Sequence, residues 1–336
     1  MNSKLKWLEC IRGGAILLVV LGHLTLINGV GTYSEIIYLF HMPLFFAISG
    51  FLFGYREMQK KETPNQLIKR KLITLGIPYL FFSVIYICFN VFFQRFVSTN
   101  TTVDIKSILT LLWKPVAQYW FLWLLLIYFV VVAYCGNKPW KLMLLLIAGI
   151  LISLQEELFT DGLDTAYHSR LIYFFYFVAA ATMGYIFERK KIKSINAHWY
   201  FILLAVITGA LFFDIATHKE ILAGLQARET ILRILGIISF SLSVITVCEI
   251  RVFRNVFIKI GEYSWYIYLL HSYFLCFVRM AIKKVLPMGN MAVEVMIGMM
   301  FSVGGCMLIG YISKKHWWID CVFYPQHFLK KERLIV

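Results

Sequence analysis

Residues Ile11 to Val30 read IRGGAILLVVLGHLTLINGV, and this stretch decides the fold. A bilayer core of about 30 Å is crossed by roughly 20 apolar residues in a helix, which this run supplies. It is too long for the apolar core of a secretory signal, and no small-residue cleavage site precedes the next apolar run, so it reads as an uncleaved helix. It also carries Arg12 and His23. Ionisable groups inside a span are costly in hydrocarbon, so each needs a partner or a task.

The rest of the chain repeats the pattern. Of 336 residues, 60% are hydrophobic and 15% charged, with mean hydropathy +0.74. Ordinary soluble domains carry about 25% charged residues, too many for this chain to be one of them. Further apolar runs lie at 36–54, 72–93, 119–135, 142–159, 171–187, 199–213, 231–250, 262–280 and 291–312. The acidic pair Glu156 and Glu157 marks an end of the fifth span that falls outside lipid. The expected fold is all-α: a polytopic integral membrane protein of about ten transmembrane helices. It forms a single transmembrane domain over residues 1–336, with no fused extracytoplasmic domain, internal repeat or low-complexity linker.

Seven cysteines, with no C-x-x-C among them, argue against a disulfide framework or a zinc site, and no metal is expected. A net charge of +15 in a soluble protein would point to nucleic acid. Here the basic residues fall in short loops, so no nucleic-acid partner is expected and the charge sets topology. One set of segments holds Lys4, Lys6 and Arg12; Arg56, Lys60, Lys61 and Lys69 to Lys71; Lys138 and Lys141; Arg189 to Lys193; Arg251, Arg254 and Lys259; and the five basic residues from Lys314 to Arg333. The opposite set holds Arg95, Lys106, Lys114, Arg170, Lys219, Arg228, Arg233, Arg279, Lys283 and Lys284. The first set is more than twice as basic, which puts both termini in the cytoplasm. An even number of spans requires the same.

The polar residues inside spans form a pattern. Arg12 and His23 are eleven positions apart, within about 20° of one helix face and about 16 Å along the axis. Glu9 stands one turn before Arg12, at i, i+3 pairing distance. His41 enters the second span at a depth similar to His23, ahead of Pro43 and the small pair Ser49–Gly50. Lys69, Arg70 and Lys71 return at the cytoplasmic face. The run GEYSWYIYLLH, Gly261 to His271, carries Glu262 at its start and His271 near mid-membrane. Together they suggest a polar track, basic at its cytoplasmic mouth and histidine-rich further out. Plainer readings stand beside it. His41 and His271 each suit a helix–helix hydrogen bond. Lys69 to Lys71 suit topology anchors, and Glu262 suits the positive end of its helix. Tyr119, Trp120 and Trp123 suit packing or interfacial aromatics.

These residues resemble a known family. The R-x10-H arrangement of IRGGAILLVVLGH (Ile11 to His23) is similar to the signature of the acyltransferase family 3 membrane enzymes. That family includes bacterial O-antigen, capsule and exopolysaccharide O-acetyltransferases and the fucose 4-O-acetylase-like group. FHMPLFFAISGFLF (Phe40 to Phe53), IKRKLITLGIPY (Ile68 to Tyr79), YWFL (Tyr119 to Leu122) and GEYSWYIYLLH follow in the family's order, across essentially the whole chain. Two departures stand out. Glu9 occupies a position where members often have Asp. Arg70 is followed three residues later by Ile73, where many members have a second Arg, so that role is vacant or passes to Lys69 or Lys71.

The resemblance implies an O-acetyltransferase of the bacterial plasma membrane. The donor is cytoplasmic acetyl-CoA, and the acceptor is a hydroxyl of a surface polysaccharide or its lipid-linked precursor. Arg12, Lys69, Arg70 and Lys71 are then the candidates for the coenzyme A phosphates, through charge-assisted hydrogen bonds. His23 is the candidate catalytic base, since an imidazole can take the proton of a sugar hydroxyl. It can equally carry the acetyl group itself. His41 orients or relays, while Glu262, His271 and Trp120 line the acceptor side. The sugar, the size of the acyl group, oligomeric state and any glycan-assembly partner are left open. A transporter or flippase for a polyprenyl-linked sugar is the alternative. It would be marked by broken helices in matching halves, a symmetry absent from this sequence. A membrane scaffold without chemistry leaves the polar first span unexplained.

Overall fold

Lipid offers no hydrogen bonds to a backbone, so an apolar run must close its own, and the helix does that within one segment. In a computed structural model, all regular structure among the described residues is helical. The description covers residues 5–27, 31–60, 62–93, 103–135, 138–154, 171–192, 195, 199–218, 221, 225, 227–284 and 291–332. Of the residues named above, Lys4, Val30, Lys61, Arg95, Glu156, Glu157, Arg170, Lys193, Lys219 and Arg333 lie outside it.

The helices are α1 (Lys6–Ile27), α2 (Gly31–Leu52), α3 (Pro64–Lys71), α4 (Ile77–Phe93), α5 (Trp120–Cys135), α6 (Pro139–Leu154), α7 (Tyr173–Arg189), α8 (Trp199–Thr217), α9 (Arg228–Val247), α10 (Arg251–Lys284), α11 (Met291–Lys315), α12 (Trp317–Phe323) and α13 (Pro325–Glu332). Wider π-helical turns continue α2 at Phe53–Glu57 and join α3 to α4 at Leu72–Gly76. Pro43 sits inside α2 without ending it.

Seven helical stretches among the described residues are long and apolar enough to cross a membrane: Lys6–Thr25, Ser34–Glu57, Pro64–Phe93, Ala117–Cys135, Trp199–Thr217, Arg228–Val247 and Ala292–Lys315. Each coincides with an expected span. The remaining three expected spans, 142–159, 171–187 and 262–280, have their described residues on α6, α7 and the charged 34-residue α10, and 155–159 lie outside the described residues. Large apolar side chains face outward, among them Leu144, Ile147 and Leu151 on α6, Leu203, Val206 and Ile207 on α8, and Met300 and Leu308 on α11. An exposed surface of this kind belongs against acyl chains, not water. The chain is a polytopic helical membrane protein.

The chain divides into two compact units. The first comprises Met1–Gly22, Val30–Lys61 and Cys135–Ser264. Within it α2 packs most extensively on α7, and α8 pairs with α9. Small residues permit the α2–α7 approach: a Cβ on Gly50, Gly54 or Gly184 would collide with the carbonyl of Phe177, Ala181 or Phe51. Leu8, Ile11 and Ala15 of α1 are buried with Leu44, Ile48 and Phe51 of α2 and Val244 and Ile245 of α9. The second unit comprises His23–Gly29, Glu62–Tyr134 and Trp265–Val336. One of its apolar clusters gathers Ile87 of α4 with Val103 and Leu111, and the Tyr79 hydroxyl donates to the Leu111 carbonyl.

Candidate active site

In the first unit the site begins where α1 meets the N-terminal half of α10. Gly13 and Gly261 bring the two backbones together; a Cβ on either would collide with a carbonyl of the other helix, that of Phe257 or Glu9. That proximity puts the Gly261 carbonyl within reach of the Arg12 fork. Arg12 donates to it from Nε at 3.1 Å and Nη2 at 2.8 Å. Nη2 also pairs with Glu9 Oε2 at 2.7 Å, the i, i+3 ion pair expected from the sequence. The Arg12 side chain is 28% exposed, and its Nη1 has no hydrogen-bond partner among the described residues. Arg12 thus pins two helices with one edge and keeps a charged N–H pair for something else. Glu262, half-buried, follows on the same turn of α10 as the pinned carbonyl. In α2, His41 is 2% exposed. Its Nδ1 lies 2.8 Å from the Ile37 carbonyl and the Tyr38 ring stands edge-on at 4.8 Å.

In the second unit, the last turns of α1 carry His23, half-buried. Its ring lies 5.2 Å from that of His271 on α10, centroid to centroid, at an interplanar angle of 32°. His271 is fully buried. Its Nδ1 is 2.8 Å from the Ile267 carbonyl and 3.0 Å from that of Tyr268, and its Nε2 is 3.5 Å from Ser272 Oγ. The His271 carbonyl accepts from Ser302 Oγ of α11 at 3.4 Å. The same region is tight at Gly298, where a Cβ would meet the Leu24 side chain. The His271 ring is therefore held from its own helix, while its backbone carbonyl is held from α11.

The basic segment also folds within the second unit. Thr63 and Gln66 close a reciprocal cap on α3, with Pro64 in the first turn. The helix then presents Lys69, Arg70 and Lys71 in its last turn. Lys69 is exposed, Arg70 pairs with Glu62 at 2.7 Å, and Lys71 is only 9% exposed, its ammonium 3.7 Å from the Phe129 ring centroid. Trp120 opens α5, half-buried. Trp123 donates to the Leu112 carbonyl at 2.8 Å, a structural bond that accounts for it.

The structure thus brings together two groups of the expected residues: Glu9 with Arg12 in one unit, and His23 with His271 in the other. The 11-residue spacing holds on one uninterrupted helix, so Arg12 and His23 are about 16 Å apart along α1. Several contacts escaped sequence reasoning. The acceptor of Arg12 is a backbone carbonyl, signalled only by the glycine that makes room for it. Tyr119 is fully buried and donates to the Leu269 carbonyl at 2.9 Å, with the Tyr273 hydroxyl 3.3 Å away. Tyr268 donates to the Gln118 carbonyl at 2.7 Å. Arg233, inside an apolar run of α9, is 8% exposed, 3.8 Å from Glu229 and beneath the Tyr173 ring. Its position in that run was the available signal. Among the described residues no group of three or more His, Cys, Asp or Glu is set to hold a metal ion.

A nodulation protein, NolL, from Mesorhizobium japonicum is 30% identical over 131 residues, which cover 36% of this chain and 33% of its own length. The matched part is thus about a third of that relative. No solved structure matches the chain. The family model described as an acyltransferase domain matches residues 5–311, taking in Arg12, His23 and His271 alike. The chain belongs to acyltransferase family 3.

Proposed function

We propose that this acyltransferase is an O-acetyltransferase of the bacterial plasma membrane, with about ten spans and both termini in the cytoplasm. It moves the acetyl group of cytoplasmic acetyl-CoA to a hydroxyl of a surface polysaccharide or its lipid-linked precursor. One observation carries the reading: Arg12, with an uncommitted pair of N–H groups, and His23, beside a second histidine, stand three turns apart on one membrane helix. A guanidinium edge suits a phosphate oxygen. An imidazole deeper in the helix suits proton transfer from a hydroxyl.

In this reading Arg12, Lys69, Arg70 and Lys71 bind the coenzyme A phosphates on the cytoplasmic side, and the pantetheine arm carries the thioester inward. His23 takes the acceptor proton as oxygen attacks the thioester carbonyl. The C–S bond breaks, and the proton passes from His23 to the departing thiolate. His41 orients or relays, and Glu262, Trp120 and His271 line the acceptor side. Membranes containing the protein, supplied with labelled acetyl-CoA and envelope glycan, test the proposal. Label should enter glycan as an alkali-labile ester, and His23→Ala should abolish that transfer while leaving membrane insertion intact. Glycan passage without acetyl transfer would instead identify a flippase.

A further inference from the structure

Apart from its tyrosines and cysteine, α4 carries two polar side chains, Ser83 and Asn90. They are seven residues apart, within about 20° of one helix face and about 10 Å along the axis. Ser83 is fully buried and Asn90 is 2% exposed. Neither Ser83 Oγ nor Asn90 Oδ1 has a hydrogen-bond partner among the described residues. A hydroxyl inside a helix commonly donates to the carbonyl one turn back. Thr74, Thr182 and Thr208 do so here, toward Arg70, Val178 and Leu204; Ser83 does not. Polar groups left in this state inside a span call for a partner or a task.

Their neighbours show where these atoms face. Around the axis of α4 both residues fall between Tyr86 and Ile87, about 40–60° from the tyrosine. The Tyr86 ring stands edge-on to Tyr119 at 6.0 Å and to Tyr273 of α10 at 6.1 Å. Ile87 lies in the apolar cluster on which Val116 packs. Between those two flanks run Ala117 and Gln118, in a short 3-10 turn, Ala117–Tyr119, that packs on α4. Ala117 has a φ of 45°, in the left-handed region that L-residues avoid. Gln118 follows it, half-buried, and its Nε2 is a third buried polar atom without a partner among the described residues. All of these residues belong to the second unit.

We infer that the wedge between α4 and this turn is a subsite for the hydroxyls of a neutral sugar ring of the acceptor, held by Ser83, Asn90 and Gln118. This rests on the acyl-transfer reading above and deepens it by naming side chains that bind the acceptor. Asn90 Oδ1 can only accept, Gln118 Nε2 can only donate, and Ser83 Oγ does both. Hydroxyls match that mixture, since each donates and accepts. An ionised phosphate would leave Asn90 Oδ1 unpaired, and no charged side chain lies on α4 or between Val116 and Leu122 to hold an anion. The Tyr86 and Tyr119 rings supply the apolar wall that the C–H face of a pyranose needs, the usual pairing of an apolar lining with a few polar groups. The three atoms are shut off from solvent, so a sugar enters as the turn parts from α4. The subsite also lies close to the proposed base. Tyr119 donates to the Leu269 carbonyl, and Leu269 and Tyr273 stand two residues either side of His271 on α10. The wedge thus meets α10 at the level of His271, whose ring is 5.2 Å from that of His23.

The first test uses the full-length protein in lipid nanodiscs, supplied with labelled acetyl-CoA and envelope glycan. Asn90→Leu and Gln118→Leu should each raise the KM for glycan about five- to tenfold, as loss of one hydrogen bond would. The KM for acetyl-CoA should stay within about twofold, and the thermal midpoint should not fall. An unchanged glycan KM, or a raised one accompanied by a lower midpoint in both variants, would overturn the assignment. The second test reads binding without turnover, by saturation-transfer NMR with the methyl glycosides of glucose, galactose and mannose as probes. Ring C–H protons of at least one probe should receive saturation from the parent protein and lose it with Asn90→Leu. No transfer from the parent, or equal transfer from the variant, would overturn the subsite. A parent protein that moves no acetyl group would sink the acyl-transfer reading, and the NMR would still decide whether sugar binds here.

Discussion

Arg12 and the carbonyl of Gly261, 249 positions apart in the chain, are joined by two hydrogen bonds from one edge of the guanidinium, and the same edge holds Glu9. A lysine cannot reproduce a planar fork. Arg12→Lys should therefore satisfy one acceptor at the expense of the other and lower stability by about 1 kcal/mol. Thermal unfolding in detergent checks this; an unchanged midpoint would show that the pin carries no net energy.

The glycines give a paired comparison. A Cβ on Gly261 would collide with the Glu9 carbonyl, whereas one on Gly304 of α11 meets nothing within 4 Å. Gly261→Ala should cost about 1–3 kcal/mol as α1 and α10 are forced apart. Gly304→Ala should gain about 0.5–1 kcal/mol, because alanine loses less conformational freedom in a helix. The two thermal midpoints should move in opposite directions.

Asn90 on α4 is 2% exposed, and its carboxamide oxygen has no hydrogen-bond partner among the described residues. A buried polar group without a partner costs about 1–3 kcal/mol, and an apolar group of the same shape is neutral or better. Asn90→Leu should leave the thermal midpoint unchanged or raise it. A fall of several degrees would mean that Asn90 makes a bond these helices do not display.

Lys69 and Lys71 separate two kinds of positive charge. The exposed Lys69 acts through solvent, and salt screens it over a Debye length of about 10 Å at 0.1 M. Lys71 lies buried against Phe129. Lys69→Gln should raise the KM for acetyl-CoA roughly two- to fivefold at low ionic strength, an effect that fades toward about 1 M salt. Lys71→Gln should have an effect that salt changes less. Titration of KM against salt for both variants measures the difference.

Seven of the spans were legible because lipid imposes one rule on every crossing segment, and apolar length reports it directly. The Glu9–Arg12 pair was legible for a similar reason: i, i+3 is a local distance that any helix supplies. The close pairing of His23 with His271 was not, since it joins positions far apart in the chain, and periodicity orients a side chain without naming its neighbour. Nor was the difference between Lys69 and Lys71. A run of basic residues looks uniform, yet one helical turn sends one ammonium outward and tucks the other against Phe129. The backbone partner of Arg12 had no side-chain signal at all, only two glycines whose smallness marks the crossing.

The central claim is that an arginine and a histidine three turns apart on α1 serve acetyl transfer to a glycan. Mass spectrometry of the surface glycan, from cells carrying the intact protein or His23→Ala in its place, tests it most directly. The account predicts glycan bearing an ester of acetyl mass with the intact protein and none with the variant, at equal amounts of protein in the membrane. Identical acetylation in the two glycans would contradict it.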